Sequence, residues 1–257
     1  MSTTPAPPPA GWYPAPNGSS EKWWWDGVQW TPPAPQPGSQ PAASRVPVRL
    51  AVATQVLLIV SGLTSVLTIG VEVFGIGAVT RYLDGLDYDI ELLNAYDRVS
   101  LMSTVVSSMA LVATGVLWLI WQYRAAKQVQ GRTRRSPGWH VGSWLIPVVS
   151  FWFPYQNISD LWRATGRSRP AWQILWWLLW ISSGTLIQVS SIIYNNAEVL
   201  EQFRDSMWAS IAGEVLRVAA VPLAWMVVRG ITRGLSRGTA LPAPARWNAD
   251  PGLPLGR

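Results

Sequence analysis

The chain has 257 residues and a formal net charge of +6, yet only 13% of its residues are charged, about half the ~25% of a soluble domain. With 49% apolar residues, 18 Trp, no Cys and one His, His140, the composition excludes a disordered polymer, a disulfide scaffold, thiolate metal sites, a Cys nucleophile and any zinc site needing two His from one chain. Most of the Lys and Arg sit beside apolar segments, where they set membrane topology and do not argue for nucleic acid.

Residues 1–10 contain neither a basic stretch nor an apolar run. No signal peptide is expected there, so the chain is expected to begin in the cytoplasm and to use its first apolar segment as an internal signal-anchor. Residues 1–49 hold 12 of the 21 Pro. Such sequence favours extended polyproline II and cannot build a core. Residues 1–10 are therefore expected to be disordered and 32–48 to form a linker, on either side of a short aromatic domain at 11–31. A segment this short cannot bury an ordinary core, but Trp12, Tyr13, Trp24, Trp25 and Trp30 can stack into a small one. Asp26-Gly27 between aromatic runs predicts a hairpin turn. Trp30 followed by Pro32 and Pro33 is analogous to proline-binding aromatic modules. A protein or proline-rich peptide is accordingly a candidate partner of Trp12, Tyr13, Trp24, Trp25, Asp26 and Trp30. The competing reading is that these rings only hold the fold or lie on the bilayer.

A membrane domain is expected over 49–238. Charge-free runs of 22, 25, 24 and 28 residues follow Arg49, Arg98, Arg135 and Arg169, and a helix needs about 20 apolar residues to cross a bilayer. Span one is expected at about 50–71. The connection 72–100 carries six acidic residues against two Arg, a net charge of −4. Span two, about 99–123, leads to Arg124, Lys127, Arg132, Arg134 and Arg135 with no acid among them. Positive connections stay inside.

The run 136–159 contains Pro137, Pro147 and Pro154 and has basic residues on both flanks. A spanning helix would carry one basic cluster outside, and interior Pro breaks the hydrogen-bond ladder. The segment at about 138–159 is therefore expected to be re-entrant or interfacial. Span three, about 171–194, starts with Trp172, Trp176, Trp177 and Trp180, which read as an interfacial aromatic belt. The loop 195–207 has a net charge of −2. Span four, about 207–228, returns to Arg229, Arg233 and Arg237, and a disordered cytoplasmic tail follows at 239–257. The expected fold is thus all-α integral membrane: four transmembrane helices, one proline-interrupted segment and a tiny hairpin-like N-terminal module, with both termini inside.

The block Gly11-Trp12-Tyr13-Pro14-Ala15-Pro16 … Trp24-Trp25-Asp26-Gly27-Val28-Gln29-Trp30-Thr31 resembles a short bacterial domain of unknown function that commonly precedes membrane proteins. Ala15 replaces the usual Asp of that domain, and Trp23 replaces a usual basic residue. The residues Pro137, Gly138, Trp139, Trp144, Pro147, Pro154, Tyr155, Gln156, Asp160, Leu161, Trp162, Arg163 and Ala164 resemble a second bacterial family, of uncharacterised four-helix membrane proteins, with the likeness running over about 46–240. The two resemblances imply a multi-pass protein of the bacterial inner membrane and carry no activity with them.

Other patterns add little chemistry. Gly234-Leu235-Ser236-Arg237-Gly238 matches G-x-S-x-G but lies on a helix with no partner His. Gly230, Gly234 and Gly238 read better as a close-packing stripe, beside an Arg229, Arg233 and Arg237 stripe suited to anionic lipid headgroups. Asp84, Asp87, Asp89 and Glu91 lack EF-hand spacing and read as a solvated acidic loop. Glu214 and Arg217, three apart inside span four, share one helical face. They form either a self-neutralised pair or part of an ion or proton path. No catalytic, metal or cofactor-binding set is expected. The leading function is a non-enzymatic membrane protein with an aromatic interaction module; the alternative is a small transporter or channel subunit using Glu214, Arg217 and the re-entrant segment.

Overall fold

The computed structural model describes residues 8–16, 18, 20–32, 48–86 and 90–238. The chain divides into two compact units, Met1–Ala43 and Ser44–Arg257.

The first unit is a three-stranded antiparallel sheet, β1 (Gly11–Pro14), β2 (Lys22–Trp25) and β3 (Trp30–Thr31), in the order β1-β2-β3. The predicted hairpin is present as β2–β3, with Trp25 opposite Trp30, and β1 extends it, with Trp12 opposite Trp24 and Tyr13 opposite Trp23. Asp26 holds the hairpin turn. Its Oδ1 accepts from the backbone N–H of both Val28 and Gln29 at 2.7 Å, which holds its carboxyl below the usual carboxylate range, Gln29 being the stronger influence. Gly27 supplies the positive φ of 103° that the turn requires. Ala15 is buried in the β1–β2 connection, where its N–H donates to Glu21 and its carbonyl accepts from Gly18. That turn therefore closes through backbone bonds without an Asp side chain.

The second unit is helical: α1 (Val48–Leu83), α2 (Ile90–Gln128), α3 (Pro137–Gly142), α4 (Phe153–Ala164), α5 (Trp172–Asn195) and α6 (Leu200–Gly238). Four of these, α1, α2, α5 and α6, are long and apolar enough to cross a membrane. They pack up-and-down, with α1 between α2 and α6, and α5 against α6. Much of their surface stays apolar and exposed: Leu101, Met102, Val105, Met109 and Val112 of α2 all point outward. A contiguous apolar surface of this kind suits lipid.

Between apolar helices the seams are made by small and hydroxyl side chains, which allow close approach and bond across the interface. Ser61 Oγ lies 2.8 Å from Thr114 Oγ1, and Thr68 Oγ1 lies 3.1 Å from the hydroxyls of both Ser103 and Ser107. Gly213 of α6 sits so close to Ser183 and Ile187 of α5 that a Cβ there would press on backbone.

Three expectations change. The helices outrun the predicted spans: α1 continues from 71 to Leu83, α2 begins at Ile90, and α6 begins at Leu200. Charge-free windows measure what a bilayer accepts, whereas these extensions are held by a second apolar cluster of Val71, Val79, Tyr96 and Met207. Most of the supposed loop 72–100 is therefore helix. Secondly, Pro137 and Pro154 open α3 and α4 and do not interrupt a helix; the first helical turn has no use for the missing N–H. Only Pro147 falls between them, in the turn before a 3-10 segment at Val149–Phe151. Neither α3, with 6 residues, nor α4, with 12, can cross a ~30 Å core alone. Thirdly, Pro8 and Pro9, expected to be disordered, have defined partners. Residues 1–7, most of the linker and the tail 239–257 lie outside the described residues.

Candidate functional site

In the aromatic unit, strand alternation divides the predicted stack between two faces. Tyr13, Trp25 and Trp30 share one face, with Trp30 packed 5.0 Å from Trp25 and edge-on to Tyr13 at 6.1 Å. Trp12 and Trp24 meet edge-to-face at 5.6 Å on the other, and both are exposed. The two faces differ in what they touch. Trp25 Nε1 donates to the Pro8 carbonyl at 3.1 Å, and Tyr13 Oη donates to the Pro9 carbonyl at 2.8 Å. The Tyr13–Trp25–Trp30 face thus holds a proline backbone supplied by its own chain.

In the helical unit, the family-like motif residues gather at one end, with the basic connections. Asp160 is buried and accepts from Arg134 Nε at 2.9 Å and Arg163 at 3.2 Å. Arg135 lies over the Phe153 ring and donates to Gln156 and Asn157. Asn157 in turn donates to the Trp139 carbonyl and to Ser143, which ties α4 to α3. Gly138 and Pro147 are exposed, and Trp139 leans edge-on against Phe153. Pro154 is buried at the start of α4, one residue before Tyr155, whose Oη accepts from Arg169. Trp162 packs edge-on to Trp172 and against Gly230, while Gly234 receives Thr165. The predicted Gly stripe therefore seats α4 and not a spanning helix; the surroundings of Gly238 lie outside the described residues.

The predicted Trp belt of α5 is also corrected. Trp176 and Trp177 are buried, packing with Trp118 and Trp144, because α3, α4 and their turn cover them. Gln122 ties the cluster together by accepting from both Trp118 and Trp144. His140 is fully buried in α3, and neither ring nitrogen has a partner among the described residues. Burial pushes its pKa down to about 4, so it is a neutral ring at physiological pH and offers no acid–base chemistry there.

The opposite end of the bundle is acidic. Glu214 and Arg217 form the ion pair expected from their spacing, at 3.1 Å, and both are largely buried. Sequence reasoning missed their neighbours. Glu72 of α1 turns inward: one carboxylate oxygen accepts from Tyr96 Oη of α2 at 3.0 Å and the other from Ser210 of α6 at 3.2 Å. The available signal was the run Ser61, Ser65, Thr68 and Glu72, whose helical spacing puts four polar residues on one face of an apolar helix. Nothing in the sequence marked Tyr96. Of the acidic loop, Asp87 and Asp89 lie outside the described residues, and no group of three or more His, Asp or Glu among the described residues is arranged to hold a metal ion.

Residues 84–233 match the family model described as a domain of unknown function, DUF4328. That is more than half of the chain, which therefore belongs to the DUF4328 family. The match takes in α2 to α6 but begins after α1, so it is narrower than the likeness expected over 46–240, and it leaves the aromatic unit unmatched. No curated protein and no solved structure matches the chain.

Proposed function

We propose, for this member of the DUF4328 family, a non-enzymatic multi-pass protein of a bacterial cytoplasmic membrane whose aromatic module takes proline-rich peptide. One observation carries the reading: Trp25 and Tyr13 aim their only side-chain donors at successive proline carbonyls. A proline-rich strand has carbonyls to satisfy and few N–H groups to pair, and it reaches the site already extended. Aromatic faces rimmed with donors suit such a ligand. The resemblance of residues 11–31 to a short domain that precedes membrane proteins fits an interaction role. Pro8 and Pro9 occupy the face in the free chain, so a partner competes with the chain's own N-terminus.

The test is anisotropy of a labelled proline-rich peptide titrated with the full-length protein in nanodiscs. Binding that Trp25→Ala abolishes, and that removing residues 1–9 tightens, supports the reading; binding indifferent to both removes it.

The same reading puts both termini in the cytoplasm, with α3 and α4 at the inner face, where exposed Leu145, Ile146, Val148, Phe151 and Trp152 enter the interfacial layer. Arg229, Arg233 and Arg237 meet anionic headgroups there. Reporter fusions after Gln40, Leu92, Gly131, Asn196 and Ala243 then read in, out, in, out, in, and one after Arg167 reads in. An outside signal after Arg167 would overturn the placement of α3 and α4.

The transporter or channel alternative gains one observation, the inward-turned Glu72. It loses another, because the proline-containing segment lies at the opposite end of the bundle from Glu214 and Arg217.

A further inference from the structure

We propose that the acidic end of the bundle binds one monovalent cation, taken here as sodium, with Glu72 and Glu214 as its carboxylate ligands. The site is built from α1, α2 and α6, and the inference does not depend on the aromatic module. Ser210 and Glu214 are one turn apart on α6, and Ser210 reaches Glu72, so Glu214 stands on the face of α6 that looks toward α1. Glu214 thus stands one helical turn from the hydroxyl that binds Glu72. Glu214 is 5% exposed, and its Oε2 is buried with no hydrogen-bond partner among the described residues. Its Oε1 is engaged by Arg217.

The charge count is then unbalanced. Glu72 is bound by Ser210 of α6, one turn before Glu214, and among the contacts described Arg217 is the cation bonded to either carboxylate. One negative charge is left over in a largely water-excluded interior. Buried charges are paired or coordinate a metal, and ionisable groups between membrane helices either pair with one another or mark ion and proton pathways. A single positive charge restores neutrality; a divalent ion would overshoot and asks for six or more oxygens. The donors present are hard oxygens: two carboxylates and the hydroxyls of Ser210 and Tyr96. The rival occupant is a proton, which would cancel the same charge.

The experiment is a thermal melt of the full-length protein in nanodiscs, with sodium chloride titrated against choline chloride at constant ionic strength. A saturable rise in melting temperature is expected, lost in Glu72→Gln and in Glu214→Gln and kept in Glu201→Gln, which removes an exposed carboxylate at the start of α6. Tyr96→Phe preserves packing and removes the hydrogen bond that orients Glu72. It should raise the half-saturating sodium concentration by about tenfold or more, which keeps the test decisive should the Gln variants fail to fold. No sodium-dependent rise, or a rise that survives both Gln substitutions or leaves Tyr96→Phe at the wild-type midpoint, overturns the proposal. A sodium-free sample that reaches the same plateau on mild acidification also overturns it, in favour of a proton.

Discussion

At its basic end the membrane domain buries Asp160 under two arginines that are themselves more than half exposed, so the ion pairs keep contact with water. The atoms left unpaired there, on His140, Gln122, Gln173, Trp162 and Trp176, are all neutral. At the acidic end the pairing is drier: Arg217 and Glu214 are both mostly enclosed, and an unpaired atom there, Oε2 of Glu214, belongs to a carboxylate. An unpaired neutral group costs about 1–3 kcal/mol and can be tolerated as part of a dense core, whereas an uncompensated buried charge costs more and asks for a counter-ion. The contrast separates a region built for packing from one built to hold charge.

The sharpest way to break that contrast is to remove one side of the dry pair. Arg217→Leu leaves two carboxylates together and should cost on the order of 3–5 kcal/mol. Glu214→Leu leaves Arg217 with Glu72 nearby and should cost less, and the Glu214→Leu/Arg217→Leu double variant should recover much of the loss. Melts of the four proteins in detergent decide it: a double variant as unstable as the sum of the singles means the residues do not act as a pair.

Next in size come two glycines that each lie under an aromatic ring, one at either end. A Cβ at Gly75 would strike Tyr96, and one at Gly230 would strike Trp162. Each Gly→Ala change should cost about 1–3 kcal/mol by overpacking. The melts should resemble one another, but Gly75→Ala alone, by displacing Tyr96 from Glu72, should blunt the response to sodium. Equal sodium responses would uncouple Tyr96 from the site.

Asp160→Asn is expected to cost less, about 1 kcal/mol or below, and to matter less still in high salt, because solvated arginines gain little from an ion pair. A loss as large as that of Arg217→Leu would erase the distinction between the two ends.

The smallest effect belongs to His140→Phe. Removing an unpartnered buried imidazole in favour of an apolar ring should leave stability near wild type at neutral pH, within about 1 kcal/mol. Its signature is the acid limb. The unfolded chain takes up a proton near pH 6.5 that the buried ring refuses until about pH 4, so wild-type stability is complete above that window and falls as pH drops through it. The Phe variant should lack that part of the acid loss, as melts at both ends of the window will show.

Much of this architecture was legible in the residues. Charge-free windows located three of the four long helices, the acidic loop 195–207 and the arginines from Arg229 onward bracketed the fourth, and i, i+3 spacing paired Glu214 with Arg217. Glu72 was read as the charge that ends a window, and a window cannot tell whether its last residue leaves the helix or turns into it; the polar face it shares with Ser61, Ser65 and Thr68 was the signal passed over. Tyr96 was hidden for a related reason: its role depends on α2 beginning at Ile90, well before the apolar run. Pro137 and Pro154 misled because proline at a helix start and proline within a helix look alike until the start is known. In the aromatic unit the composition identified the rings, but the division into two faces needed the register of β1 on β2.

The seating of α4 against Gly230 and Gly234 bears on how the protein is made. Trp162 and Thr165 leave the ribosome nearly 70 residues before those glycines, and Tyr155 and Ser159 accept from Gln173, which also comes later. The α3–α4 segment therefore cannot reach its final packing while it is being synthesised. Trp162 stays without its cover until α5 and α6 have been made. Assembly of the helical unit thus ends at the middle of its sequence and not at its C-terminal helix.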